Sequence, residues 1–224
     1  MDEYLQLPYN ITFDGGVFLE GNSIQDNFRS TIEKGIKIVR QPRSAMEEFK
    51  SEDISVNNLI RNYVALLAVI PLIGCIIGGL FGGFGLGVAT GVFGFITNLI
   101  SVFIFGFVID FLAPSFSSKQ SRDQATKLAA CVATPSLLAG ILYAIPPLAP
   151  LIFLASLYGL YILYLGIPIF METPHERTLI YAIVAIVANL IIYVIFGAIV
   201  GAIIGAIFFG SMISSGAMSG GFGL

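Results

Sequence analysis

The sequence predicts an all-α membrane protein with five transmembrane helices and a polar N-terminal cytoplasmic segment containing amphipathic helices. Three observations predict it. Five apolar stretches of spanning length are separated by glycine, proline and polar turn signals. Charge is scarce, at 11% of 224 residues, where soluble domains carry about twice that share. It is also unevenly placed: no Asp, Glu, Lys or Arg occurs from Thr178 to Leu224. A soluble core of this size cannot hide such a tail, whereas a bilayer accepts about 20 consecutive apolar residues per helix.

Residues 1–23 carry turn signals, Asp14-Gly15-Gly16 and Gly21-Asn22, without a core pattern, and read as a loop or small hairpin, partly disordered. Next, Ile24, Phe28, Ile32, Ile36 and Val39 recur at three- to four-residue spacing on one helical face, with Lys34, Lys37, Arg40 and Arg43 at the end. Such a helix either lies on the membrane surface with its cations near anionic headgroups or packs on the chain's own spans. Pro42 opens a second short helix through Ala45, Met46 and Phe49, and Ser51-Glu52-Asp53 breaks it.

The spans are expected at about Asn62–Phe81, Val88–Leu112, Lys127–Ile145, Leu148–Phe170 and Thr178–Phe209. The last exceeds the need of a bilayer by about ten residues and must tilt, project or end early. Gly82-Gly83 and Gly85 link the first pair, Ala113-Pro114-Ser115 starts a polar loop, Pro146-Pro147 turns the third span into the fourth, and Pro168 and Pro174 bracket the loop before the fifth. The domain reading is therefore a polar segment 1–60, a membrane domain 61–209 and a flexible tail 210–224. The first long apolar stretch begins near Tyr63, too late for a secretory leader, so the first span is expected to serve as an uncleaved anchor.

Orientation follows from charge. Of eleven Lys and Arg, seven precede the first span, Lys119, Arg122 and Lys127 lie at the loop between spans two and three, and Arg177 precedes span five. Five alternating spans put all three segments on one side, and basic residues collect on the cytoplasmic side. The N-terminus is thus expected inside and the C-terminus outside, so that the Asn10-Ile11-Thr12 sequon faces the cytoplasm and stays unglycosylated.

Few residues suggest chemistry. The single histidine, His175, lacks the second histidine of an HExxH zinc site, and no nucleophile and base set is readable. Cys75 and Cys131 fall in apolar runs and read as buried or lipid-facing thiols. The expectation is no enzyme, no cofactor, no metal and no nucleic-acid partner. Gly197, Gly201 and Gly205 form a small-residue stripe, read as packing on the chain's own spans or as a homo-oligomer contact. Thr97, Asn98 and Ser101 in span two and Asn189 in span five read as interhelical hydrogen-bonding groups or as part of a substrate path.

One stretch is distinctive. Thr134-Pro135 in span three, Ile145-Pro146 at its end, Leu157-Tyr158-Gly159-Leu160-Tyr161-Ile162-Leu163-Tyr164-Leu165-Gly166-Ile167-Pro168 in span four, and the loop Met171 to Pro174 resemble the core of the Yip-domain family, the Ypt/Rab-interacting membrane proteins and their prokaryotic relatives. Arg40-Gln41-Pro42 and Leu59-Ile60-Arg61-Asn62-Tyr63-Val64 resemble that family's entry into the first span. The resemblance runs from about Ile36 to Phe209 and implies five helical spans behind a cytoplasmic N-terminus. The Asp-Leu-Tyr-Gly-Pro element of the Rab-binding trafficking members is absent, and the chain looks more like the prokaryotic members. That implies a prokaryotic plasma (inner) membrane, with a eukaryotic Golgi or endoplasmic-reticulum membrane as the alternative.

Within the motif, Pro135 is expected to kink span three, with Thr134 satisfying a freed backbone group. The hydroxyls of Tyr158, Tyr161 and Tyr164 are expected to face protein or the membrane interface. The favoured reading is a non-enzymatic membrane scaffold or adaptor whose residues 1–60 meet a cytoplasmic protein; the alternative is a small-solute channel or transporter.

Overall fold

The computed structural model describes residues 24–214, with side chains over 26–206. The loop or hairpin expected over 1–23, the Asn10 sequon and most of the 210–224 tail lie outside the described residues.

Among the described residues the main helices follow in order: α1 (Ile24–Arg40), α2 (Pro42–Ser51), α3 (Val56–Gly82), α4 (Phe84–Leu112), α5 (Arg122–Ala139), α6 (Leu151–Met171) and α7 (His175–Ser214). Five of them are long and apolar enough to cross a membrane. No strand occurs among the described residues. With a helical rise of about 1.5 Å per residue, α7 is roughly twice as long as a hydrocarbon core is thick.

Several expected boundaries move, and the glycines and prolines show why. The glycine run before span two is almost wholly helical. Only Gly83, at φ 121°, leaves the helical region, and α4 already starts at Phe84. Gly79 and Gly87 explain why: a Cβ built on Gly79 would lie 2.7 Å from the Gly87 Cα, so the antiparallel backbones touch and the hairpin needs no longer linker. At its other end α3 begins at Val56, and its entry turn Ile60–Val64 is a π-helix. Pro168 does not bracket a loop. It lies inside α6, which runs to Met171 and stops at Glu172 in the left-handed region, φ 51°. Pro135 is likewise internal, and α5 continues to Ala139 before tightening into the 3-10 turn Gly140–Ala144.

α5 is the hub. It packs against α3, α4 and α6, and α7 closes the bundle against α4 and α6. In its most apolar window 67% of α5 is buried, against 11% for α7. Glycines set the close crossings: a Cβ on Gly159 of α6 would lie 2.5 Å from the Val132 carbonyl of α5, and one on Gly106 of α4 would lie 2.8 Å from the Thr126 Cα. Such approach is how helices associate where lipid and protein are equally apolar.

The core lies toward one end of the bundle, and α1 and α2 contribute to it. Ile38, Met46 and Phe49 are buried with Leu67 of α3, Leu128 and Cys131 of α5, Ile162 and Leu163 of α6, and Tyr181 of α7. Burying an apolar side chain of that size from water contributes about 1.5–3 kcal/mol, so Ile38, Met46 and Phe49 together hold two otherwise polar helices on the bundle.

Candidate functional site

The three basic segments meet at the end of the bundle where α1 and α2 sit. Lys34 pairs with Glu52 at 2.6 and 2.8 Å, and Lys37 pairs with Glu48, which ties α1 to α2. Lys50 of α2 and Lys119 of the loop after α4 both reach Glu172, at 3.1 and 3.5 Å. Ser118 and Thr173 share a hydrogen bond of 2.8 Å, the Lys119 amide donates to the Met171 carbonyl, and Arg177 donates to Ser117 Oγ. The hydrogen bond and charge of Lys50, with Lys119 behind it, hold the Glu172 carboxyl below its ordinary range. Loops that are far apart in sequence are thereby closed onto the end of α2.

Lys127 sits beneath this surface, 2% exposed. Its ammonium donates to the carbonyls of Lys50 and Glu52, and Gln124 donates to the Lys50 carbonyl as well. A cation at a helix C-terminus meets the negative end of the helix dipole and fills carbonyls that the last turn leaves open. The sequence marked Lys127 only by its charge, at the edge of the third apolar stretch, and carried no signal for a buried role.

The family-like motif seats α1 and α2. Tyr158 of α6 donates to the Val39 carbonyl of α1 at 2.8 Å. A Cβ on Gly166 would lie 3.2 Å from Met46 Sδ of α2. Thr134 of α5 donates to the Ala130 carbonyl and lies 2.9 Å from the Tyr63 hydroxyl of α3, whose ring lies 5.3 Å from that of Phe49. The proline itself frees the Cys131 carbonyl, one residue on from the carbonyl that Thr134 fills. Gly35, which the periodicity passed over, is the close-contact point of α1: a Cβ there would stand 3.3 Å from both Leu138 and Thr134 of α5.

Some expectations need correcting, and the other candidate residues take the following places. The stripe Phe28, Ile32, Ile36 and Val39 is not the buried face of α1. Thr31, Gly35 and Ile38 are buried, while Ile36 is 40% exposed, because the small residues allow the closer approach. Of the three tyrosines only Tyr158 reaches backbone; Tyr161 and Tyr164 are 50% and 44% exposed. Gly197, Gly201 and Gly205 do not pack on the chain's own spans: nothing among the described residues lies within 4 Å of a Cβ built on any of them. Asn98 gives its amide to Gly94 of its own helix rather than to a neighbouring one. Ser101 is buried and Thr97 and Asn189 are half-buried. Asp110, near the end of α4, is 9% exposed, with one carboxylate oxygen unpartnered among the described residues. Pro146 starts a 3-10 turn between α5 and α6.

A family model described as the Yip1 domain matches residues 36–197. The chain belongs to the Yip1 domain family. The match starts within α1 and ends within α7, so this Yip1 domain includes the C-terminal turn of α1 and all of α2, the elements that its motif tyrosine and glycine hold. No curated protein and no solved structure matches the chain.

Proposed function

We propose that this Yip1-domain protein is a non-enzymatic membrane scaffold or adaptor that presents α1 and α2 to a protein partner on the cytoplasmic face of a prokaryotic plasma membrane. One observation carries the reading. The residues that carry the family resemblance hold α1 and α2 against the spans, while the outward surface of these helices, including Arg29, Glu33, Arg43, Glu47 and Glu48, is exposed and charged. Positioning a mixed-charge surface on a fixed membrane base suits recognition, since charge complementarity sets partner choice and encounter rate. The basic residues gathered at that end support the inward orientation by the positive-inside rule. Self-association belongs to the same reading, with the open Gly197, Gly201 and Gly205 face of α7 packing on a second copy.

Affinity capture of the detergent-solubilised full chain, compared with a charge-reversed Arg29→Glu/Glu47→Lys variant, tests it. A stoichiometric partner that the variant loses is the expected result. Absence of both a partner and self-association contradicts the scaffold.

A further inference from the structure

α1 leaves a groove against the spans that the docking of α1 and α2 does not fill. Its walls are Ile36 and Val39 of α1, Pro135 and Leu138 of α5, and Ala155 and Tyr158 of α6, with Arg40 at the rim; its volume is about 300 Å³. The lining is apolar, and the Tyr158 hydroxyl is already engaged with the Val39 carbonyl. Two walls are membrane spans, and beside the groove Leu154 and Leu157 of α6 are 59% and 45% exposed, as lipid-facing residues are.

Charge marks one end. Arg29, Lys34, Lys37, Lys50 and Lys119 are each paired with a carboxylate. Arg40 and Arg43 are exposed and have no ion pair among the described residues. They flank the elbow between α1 and α2, where the N-terminal end of α2 adds the positive pole of its dipole. An apolar trough walled by spans, with the unpaired Arg40 guanidinium at its rim and Arg43 three residues on across the elbow, matches an acyl chain joined to an anionic headgroup. We infer that this groove binds an anionic membrane phospholipid, one acyl chain lying along Ile36, Leu138 and Ala155 and the phosphate meeting Arg40 and Arg43. The inference does not depend on the scaffold role, since it needs only the helices as they stand.

The test is native mass spectrometry of the full-length protein released from mixed micelles holding equal phosphatidylglycerol and phosphatidylcholine. Retained phosphatidylglycerol is expected to exceed phosphatidylcholine about fivefold or more, as one interfacial cation's attraction to anionic lipid allows. Arg40→Gln with Arg43→Gln, both exposed, should erase the headgroup preference while leaving thermal stability unchanged. Ala155→Phe should lower retention of both lipids. If that variant loses stability, Ile36→Asn on the open side of the groove provides the same reading. Equal retention of the two lipids by the unaltered protein, or a preference that survives loss of both arginines, overturns the inference, as does undiminished retention in a folded groove variant.

Discussion

Tyr63 of α3 donates its hydroxyl proton to Thr134 of α5 across 2.9 Å, because Thr134 has given its own proton to the Ala130 carbonyl. Both side chains are buried. The arrangement is directional, so its two ends are not equivalent under substitution.

Thr134→Val removes the acceptor of a buried phenol and should cost about 1–3 kcal/mol, whereas Tyr63→Phe strands no donor and should cost about 1 kcal/mol. The double variant should cost less than the sum. Thermal unfolding of the four proteins in one detergent gives the cycle, and equal single costs with full additivity would contradict the assigned direction.

Gly159 and Gly166 share the motif but differ in what surrounds them. A Cβ on Gly159 meets the Val132 backbone carbonyl, which cannot swing away, while one on Gly166 meets the ends of the Leu128 and Met46 side chains, which can. Gly159→Ala should therefore destabilise by about 1–3 kcal/mol as an overpacked contact, and Gly166→Ala by less. The order of their unfolding temperatures checks this.

The three motif tyrosines should separate in the same way. Tyr158→Phe uncaps the Val39 carbonyl and should cost about 1 kcal/mol, with faster amide exchange at the end of α1. Tyr161→Phe and Tyr164→Phe, at half-exposed positions, should stay within about 0.5 kcal/mol. Hydrogen exchange resolved along α1 distinguishes them.

Much of this was legible in the sequence, and the limits are physical. Five spans followed from unbroken apolar length, and the gathering of basic residues at one end followed from their spacing. The pairing of glycines was not legible: Gly83 truly turns, while Gly79 and Gly87 are helical and touch, and local sequence cannot distinguish a glycine used for its φ from one used for its missing side chain. Pro168 misled because proline was read as an end, although a helix between packed neighbours accommodates it. The rotation of α1 onto Thr31 and Gly35 depends on α5, which periodicity does not see. Lys127 looked like an interfacial charge until the end of α2 supplied its carbonyls.

Acidity should loosen this end of the bundle. The Glu172 carboxyl titrates below its unfolded value because Lys50 and Lys119 favour the ionised form. Its contribution is therefore present above the ordinary carboxylate range, about pH 4.3, and is lost as pH falls through the lower folded value. The protection of the Glu172 and Thr173 amides, taken relative to their intrinsic exchange at each pH, should fall in that acidic window and stay constant in Glu172→Gln.

The central claim is that α1 and α2 are held on the spans at the end where Lys50 meets Glu172, 3.1 Å apart. Its most direct test is cross-linking of Lys50→Cys with Glu172→Cys in membranes by a bifunctional thiol reagent that spans the length of the lost ion pair, using full-length protein whose Cys75 and Cys131 have been replaced by alanine. A rapid link within single chains is the predicted result. Cysteines that each react with maleimide, yet form no link within the chain, would contradict the account.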